Sequence, residues 1–342
     1  MGLRHALIII FSIIAIFSFG VIAYDALTND EELNPPIENR TSEDETSNET
    51  EDVIAPQEDE TDEEELKDRL ELDLSNLDLY SPHVYLVNID KGKVIEERKS
   101  EERMFPASLT KIMTAIVAIE NLPGLEDSVP ISEEMFPYLI ERDASVAGYY
   151  PGEIARAVDL LYGTMLPSGA DASIALAEYI AGSEAEFVQL MNEKAKQLSM
   201  ENTHFTNVTG LHDDNHYSTV KDIYLLLKYA ITNPVFLDIF TSETYTTLPT
   251  NLHPEGLTFH STMFSKLENP VFKTGQILGG KTGYTDMAGL CLASLAKIDG
   301  ERYILITTGA QGNLQTEPLH ILDALSVYTE IEKQILQANI EG

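Results

Sequence analysis

The chain has 342 residues, of which 43% are hydrophobic and 23% are charged, enough for one large domain or two smaller ones with a substantial core. Its formal charge of −35 argues against nucleic acid or an anionic membrane surface as a partner. The single cysteine, Cys291, excludes an intrachain disulfide and a thiol cluster for zinc. Because Cys291 lies in an apolar, strand-like run, we expect it to be a buried side chain.

An apolar run of about 19 residues, Ala6–Tyr24, follows Arg4 and His5 near the N-terminus. Positive residues stay on the cytoplasmic side, so the bulk of the protein is expected outside the cell membrane. The length of the run favours a retained anchor within residues 1–28. A cleavage site after Ala23 is the alternative, and the protein would then be secreted.

Residues 29–75 are rich in Glu, Asp, Thr, Ser, Asn and Pro, nearly free of aromatic residues, and carry about half of the net negative charge. Such a composition cannot bury enough apolar surface to fold. We therefore predict an acidic disordered linker here, followed by one folded domain at residues 76–342.

The pattern of the folded domain predicts a mixed α/β class. His83–Asp90 alternates and turns through Lys91 and Gly92 into Lys93–Ile95, which is typical of a hairpin. Apolar spacing predicts helices at Ser108–Ile119, Ile154–Met165, Ala170–Ala181, Ala185–Leu198 and Leu319–Ile340. Two late strands, Gly289–Lys297 and Arg302–Gly309, are joined by a turn at Asp299 and Gly300. Helices between early and late strands indicate an antiparallel sheet that joins both ends of the domain, with a helical subdomain inserted.

Ser108 and Lys111 place a hydroxyl and an amine three residues apart at the start of an apolar stretch. On a helix both side chains leave the same face. A serine is a weak nucleophile until a base takes its proton, and a lysine whose pKa is lowered by burial can be that base. The pattern alone is also typical of a helix start with an N-cap serine, so partners are required.

Two partners follow in chain order. Ser168 lies in the Pro/Gly loop Leu166–Asp171, and Lys281, Thr282 and Gly283 precede a strand-like run. Ser-x-x-Lys, a second serine motif and Lys-Thr-Gly form the motif triple of penicillin-binding proteins and class A β-lactamases. From about Tyr80 onward the chain resembles that superfamily, and within it the D-alanyl-D-alanine carboxypeptidases, whose signature is similar to the string Asn207–Asp222.

The resemblance implies a penicillin-binding-protein or β-lactamase fold and the following roles. Ser108 attacks the carbonyl between the last two residues of a stem peptide that ends in D-alanyl-D-alanine, Lys111 takes the proton, and Ser168 relays a proton to the leaving amine. The backbone N–H groups of Ser108 and Tyr284 hold the oxyanion. Lys281 and Thr282 hold the terminal carboxylate. Gly279, Gly280 and Gly283 either let the substrate approach the strand or are simple bulge glycines, and the adjacent lysine motif favours the first interpretation.

One position departs from the family pattern, because Ala170 replaces the Asn that ends the middle motif. The lost amide contact can reduce the rate by a factor of about ten to a hundred without abolishing it. A β-lactam-sensing or wall-binding module with weak chemistry therefore stays as an alternative to the carboxypeptidase. A β-lactamase is a further alternative because it would share the site, but it must hydrolyse its acyl-enzyme fast.

We expect peptidoglycan stem peptides as substrate, β-lactams as covalent inhibitors, a monomer, and no nucleic acid. The eight histidines show no metal-ligand spacing, so we expect neither a metal nor another cofactor.

Overall fold

The computed structural model describes residues 71–341. Its strands are β1 (His83–Asn88), β2 (Lys93–Arg98), β3 (Ser128–Pro130), β4 (Ile154–Arg156), β5 (Thr244–Thr246), β6 (Thr258–His260), β7 (Gly275–Thr285), β8 (Gly289–Ile298) and β9 (Glu301–Ala310). Five of them form one antiparallel sheet in the order β2-β1-β9-β8-β7. Because β1 pairs with β9, this sheet joins the early and late strands, as predicted. The pairs β3–β4 and β5–β6 form two small separate ladders.

The helices are α1 (Thr110–Asn121), α2 (Phe136–Glu141), α3 (Ala157–Met165), α4 (Ala170–Ala181), α5 (Glu184–Gln197), α6 (Val220–Ala230), α7 (Pro234–Thr241) and α8 (Leu319–Glu341). Helices α1 to α7 lie in the chain between β2 and β7, which confirms the inserted helical region. In the described part of the chain no single helix is long and apolar enough to span a membrane. Helices α6 and α7 meet the length and composition criteria only as a pair bent by 114°.

Both faces of the sheet are covered, and the side chains of β9 show how. Ile304 and Ile306 point into the core shared with the helical region, whereas Tyr303 and Leu305 point into the core beneath α8. This alternation follows from the two-residue period of a strand. Helix α1 is buried along most of its length, from Thr110 to Ala118, so its packing and not a polar face fixes its position.

The two-residue turn between β8 and β9 agrees with the sequence. Asp299 has φ +50° and Gly300 has φ +84°, the left-handed pair of a type I′ turn. Ile298 pairs with Glu301 across it. The turn therefore sets the register of these two central strands.

Three element boundaries differ from the predictions. Ile154–Arg156 is strand β4 and not the first turn of a helix. Its Ile154 is 48% exposed, so the apolar side chain that suggested a helix face does not enter the core. Helix α1 begins at Thr110, and Ser108 lies in a separate 3-10 turn, Ala107–Leu109.

The third difference concerns the Lys-Thr-Gly motif, which lies inside β7 and not before a strand. Helices α2, α6 and α7 and strands β3, β5 and β6 lie outside the predicted elements.

Cys291 is fully buried and burial raises the pKa of its thiol to about 12, which confirms the structural role expected for it. The predicted membrane segment and nearly all of the predicted linker lie outside the described residues.

Candidate active site

The hydroxyl of Ser108 and the amine of Lys111 lie side by side where the 3-10 turn meets α1. Their Oγ and Nζ atoms are 3.1 Å apart. Ser108 remains partly accessible, whereas the Lys111 side chain is buried, with 2% of its surface exposed. The preceding residue, Ala107, has φ +46°, a strained conformation for a side chain with a Cβ. The 3-10 turn thus holds the Ser108 hydroxyl within hydrogen-bond distance of the Lys111 amine.

Burial lowers the pKa of Lys111 to about 7, although the nearby charge of Asp171 acts in the opposite direction. A large share of the amine is therefore neutral at neutral pH. The second neighbour of the amine is the backbone carbonyl oxygen of Thr209, 2.5 Å from Nζ. A neutral amine can donate one N–H to this carbonyl and turn its lone pair toward the Ser108 hydroxyl.

The Thr209 carbonyl is itself held by the side chain of Asn207. The Asn207 Oδ1 accepts from the backbone N–H groups of Thr209, at 3.1 Å, and Gly210, at 2.7 Å. Gly210 has φ +80°, and a Cβ there would lie 1.9 Å from the Ala107 carbonyl oxygen. The loop therefore packs directly on the turn that carries Ser108. The sequence identifies Asn207–Asp222 only as similar to a family signature and does not predict the contact of this loop with the lysine.

Ser168 lies in the loop before α4 with φ +65°. Its side chain is 5% exposed, and its Oγ atom has no hydrogen-bond partner among the described residues. The structure thus does not join Ser168 to Ser108 or Lys111 by a hydrogen bond. A buried hydroxyl without a partner calls for an explanation, and a substrate atom that it meets only in the complex would be one.

Ala170 is the first residue of α4 and is 1% exposed. The next residue, Asp171, accepts hydrogen bonds from the backbone N–H groups of Ala147 at 2.7 Å, Gly148 at 3.1 Å and Tyr149 at 3.2 Å. Burial raises the pKa of Asp171, and these backbone contacts act against that rise. Asp171 thereby ties the loop that follows α2 to the start of α4.

The amine of Lys281 is enclosed in the protein, with its side chain 0% exposed. It donates to the Thr282 carbonyl oxygen at 2.9 Å, and among the described residues no carboxylate forms an ion pair with it. Burial, and next the charge of Lys111, lower its pKa well below the usual value. The site therefore contains two neighbouring amines. Because no described carboxylate neutralises Lys281, its surroundings favour the binding of an anion. The Thr282 hydroxyl lies 2.6 Å from that of Thr262.

Strand β7 comes close to Ser108 at Gly283. A Cβ at this position would lie 3.1 Å from the backbone N of Ser108 and 3.2 Å from the Ala107 Cβ. The absence of a side chain lets the strand lie against the turn, which places the residue after Gly283, Tyr284, next to Ser108. Two backbone N–H groups near one another are the donors that an oxyanion requires.

A cleft of about 510 Å³ lies at this place, and its lining includes Ser108, Lys111, Ala170, Thr209, Tyr284 and Asp286 but not Ser168, Lys281, Thr282 or Gly283. One wall comes from the end of β7 and the turn that follows it, and the other from loops of the helical region. The structure thus brings Ser108, Lys111 and Tyr284 to one cavity, and Lys281 is buried near enough to Lys111 for the charge of Lys111 to lower its pKa. The roles of the individual residues stay predictions.

His216 supports the site without facing substrate. The Thr206 N–H donates to its Nδ1 at 3.1 Å, so the proton is on Nε2, which lies 2.8 Å from the Thr110 Oγ1. Burial lowers the pKa of His216 to about 4, so the ring is neutral. Within residues 71–341 no three His, Cys, Asp or Glu side chains lie together as metal ligands.

A buried lysine beside a serine, a second serine loop and a Lys-Thr-Gly strand define the class of serine acyl-enzymes to which penicillin-binding proteins belong. The family described as D-alanyl-D-alanine carboxypeptidase matches residues 71–312. The chain belongs to this family. This confirms the resemblance inferred from the motifs.

Two curated relatives illustrate the likeness. The chain is 38% identical over 234 residues to the D-alanyl-D-alanine carboxypeptidase DacF of Bacillus subtilis, covering 66% of this chain and 56% of the relative. It is 34% identical over 242 residues to DacC of Escherichia coli, with the same two shares. The chain thus spans about half the length of the curated relatives it matches.

Solved structures confirm the predicted fold class. The Streptomyces K15 DD-transpeptidase superposes with a TM-score of 0.65 at 27% identity, over 74% of this chain and 97% of that one. A D-alanyl-D-alanine carboxypeptidase from Mycobacterium tuberculosis gives 0.64 at 24% identity, over 74% and 91%. This second likeness concerns the fold alone.

Proposed function

We propose that the protein is a serine-type D-alanyl-D-alanine carboxypeptidase that removes the terminal D-alanine of peptidoglycan stem peptides through an acyl-enzyme. The observation that carries this proposal is the 3.1 Å contact between the Ser108 hydroxyl and the buried amine of Lys111. Gly283 of β7 lies close to the backbone N of the same serine. Family membership and the names of the relatives support it.

In the acylation step the neutral Lys111 amine accepts the proton of Ser108 as its Oγ attacks the carbonyl of the penultimate D-alanine. The N–H groups of Ser108 and Tyr284 donate hydrogen bonds to the carbonyl oxygen and stabilise the negative charge that develops on it. Ser168, whose hydroxyl has no hydrogen-bond partner among the described residues, passes its proton to the leaving D-alanine amine as the C–N bond breaks, and it takes in return the proton that Lys111 received from Ser108, so that Lys111 is neutral again. Water then attacks the ester and Lys111 again serves as the base.

The terminal carboxylate of the peptide would supply the counter-charge that Lys281 lacks. Its arrival raises the pKa of the buried amine, since an opposite charge nearby favours the protonated form. Thr282 adds a hydroxyl donor. Substrate binding and protonation of Lys281 are therefore coupled, which favours a ligand with a free carboxylate over one without.

Several parts of the proposal rest on sequence alone. Ala6–Tyr24 would hold the protein at the outer face of the cell membrane, or release it after cleavage following Ala23. The acidic linker would let the domain reach the wall. β-Lactams would acylate Ser108, and we propose that the domain acts as a monomer.

A β-lactam-sensing or wall-binding module is the second candidate, and Ala170 is the observation that favours it. Ala170 lines the cleft, so the amide of the family's Asn is missing next to the substrate. Such a module would keep the covalent reaction with penicillin and lose turnover. A β-lactamase would instead release the penicilloyl group rapidly.

One experiment separates the three candidates. Residues 71–342 and the Ser108→Ala variant are mixed with a fluorescent penicillin and, separately, with a pentapeptide that ends in D-alanyl-D-alanine. The carboxypeptidase predicts a lasting adduct on Ser108, release of D-alanine, and neither in the variant. An adduct without D-alanine supports the sensing module, and an adduct that disappears within minutes supports the β-lactamase. An adduct that persists in Ser108→Ala contradicts the site itself.

A further inference from the structure

The loop that follows α2 is fixed against the start of α4, next to the position where Ala170 leaves the site without an amide. The Ala170 N–H donates to the Ser145 carbonyl oxygen at 2.8 Å. A Cβ on Gly169 would lie 2.7 Å from the Ala147 Cβ, so the loop packs directly on the residue before the helix. The carboxylate of Asp171 accepts from three further N–H groups of the same loop. Ser145 therefore has a defined place beside Ala170.

The cleft that contains Ser108 also has Ser145 and Ala170 in its lining. Ser145 is exposed, whereas Ala170 is buried. None of the hydrogen bonds among the described residues involves the Ser145 hydroxyl. A hydroxyl donates one hydrogen bond, whereas a side-chain amide donates two and also offers a carbonyl oxygen. Ser145 can therefore make one of the contacts that an amide would make, and not all of them.

Other polar side chains on this wall of the cleft are engaged or lack a donor. The Thr209 hydroxyl donates to the Asn207 Oδ1 at 3.0 Å. The guanidinium of Arg142 lies over the Tyr138 ring, 5.6 Å from its centre. Asp143 carries a carboxylate, which in its ionised form only accepts hydrogen bonds. None of these groups is as well placed as Ser145 to donate to a substrate beside Ala170.

His212 is a further polar side chain of this wall, and its two ring nitrogens are both accounted for. The ring packs edge-on against Phe105, with 4.7 Å between the ring centres. Its Nε2 lies 3.4 Å from the Asp214 carboxylate, and its Nδ1 is enclosed in the protein. His212 therefore does not compete with Ser145 for the role of donor.

We propose that the Ser145 hydroxyl donates a hydrogen bond to a carbonyl oxygen of the substrate's peptide group, in the place of the amide that Ala170 lacks. This inference rests on the proposed function, because the position of the substrate over Ser108 follows from it. The hydroxyl replaces the substrate contact of the amide and leaves its contact with Lys111 unmade. The site thus recovers only part of the lost transition-state stabilisation, and Ala170→Asn still increases turnover.

A double-mutant cycle between Ser145 and Ala170 tests the proposal. In the wild-type protein, Ser145→Ala should reduce kcat/KM by about tenfold for a pentapeptide that ends in D-alanyl-D-alanine, as for the loss of one hydrogen bond. In the Ala170→Asn background the same change should cost less than about twofold, because the amide then makes the contact. Ser128→Ala, at an exposed position of β3 outside the cleft, is the matched control and should leave kcat/KM unchanged in both backgrounds.

The cycle distinguishes a substrate contact from a structural role. A serine that only stabilises its loop would cost the same factor in both backgrounds, and this result would overturn the proposal. An unchanged kcat/KM in Ser145→Ala alone would overturn it as well. Differential scanning calorimetry should show the Tm of Ser145→Ala within about 1 °C of the wild type, since the position is exposed.

Acylation by penicillin separates this proposal from the proposed function. Penicillin carries an amide beside the ring carbonyl that Ser108 attacks, so we expect the same two factors in its second-order acylation rate. A protein that is acylated and releases no D-alanine would contradict the proposed function, while the acylation cycle still decides the role of Ser145. Binding of the pentapeptide to the Ser108→Ala form of each variant, measured as Kd, gives the same comparison without any chemical step.

Discussion

The backbone carbonyl of Thr209 lies 2.5 Å from the amine of Lys111, a contact between residues 98 positions apart in the chain. In the proposed mechanism this contact orients the base, because the N–H directed at the carbonyl leaves the lone pair free for Ser108. The burial that lowers the pKa of this amine to about 7 would make the proposed base available at neutral pH.

Acylation by penicillin should therefore increase with pH through the pKa of Lys111. The neutral amine is the reactive form, so we expect the second-order rate to rise about tenfold between pH 6 and pH 8 and then level off. Stopped-flow fluorescence with a labelled penicillin measures this profile. Lys111→Arg, always protonated, should lose acylation at every pH while its circular dichroism stays unchanged. A flat profile in the wild type would show that another group is the base.

Asn207→Ala should weaken the base without removing it. The variant loses the Oδ1 that holds the N–H groups of Thr209 and Gly210, so the Thr209 carbonyl is no longer fixed against Lys111. We expect acylation to slow by about tenfold, equivalent to about 1.4 kcal/mol. Asn121→Ala, which removes a single contact to the Val117 carbonyl at the far end of α1, serves as the control and should acylate normally. Equal rates in both variants would contradict the positioning role.

Asp171→Asn should change both stability and pH dependence. An amide cannot accept from three N–H groups as the carboxylate does, so we expect a loss of about 2 kcal/mol and a drop in Tm of about 5 °C. Removal of the negative charge also lowers the pKa of Lys111, because that charge favours its protonated form. The midpoint of the acylation profile should then move below that of the wild type.

The matched control for this variant is Asp143→Asn, an exposed position with φ +48° that asparagine tolerates. Differential scanning calorimetry should show its Tm within about 1 °C of the wild type. A midpoint in Asp171→Asn that moves upward would contradict the electrostatic assignment.

Ala170→Asn should increase turnover of a D-alanyl-D-alanine peptide by about tenfold. The restored amide would reach the substrate's peptide group and Lys111 from the first turn of α4, where Ala170 already lines the cleft. The gain should appear in acylation, measured as single-turnover release of D-alanine. A variant no faster than the wild type would mean that another group has taken the amide's place.

Lys281→Met should give a more stable and less active protein. The substitution removes a buried amine that no described carboxylate neutralises and keeps most of its volume, so we expect Tm to rise by about 3 °C or more. Release of D-alanine should fall by at least about a hundredfold, because the peptide's carboxylate loses its partner. Lys93→Met, at an exposed position of β2, should change neither quantity. A lower Tm in Lys281→Met would show that the amine stabilises the unliganded fold.

The sequence by itself determined the sheet hairpins, four of the inserted helices (α1, α3, α4 and α5) and the order of the three motifs. Alternation in β1 and β9, a turn sequence at Asp299 and Gly300, and apolar spacing in α4 are local signals, and local backbone geometry follows from them. The apolar spacing was misleading at Ile154, because this apolar side chain fits the pattern of a helix face but is exposed on a strand.

Only the tertiary structure decided the chemistry of the site. The contact of Lys111 with Thr209, the enclosure of Lys281 and the approach of Gly283 to Ser108 join segments separated by about 100 residues or more, and no local pattern encodes such distances. A pKa depends on desolvation and on the charges that the fold brings near. The sequence therefore predicts Lys111 as a candidate base, but the extent to which its pKa is lowered depends on the tertiary surroundings of the amine.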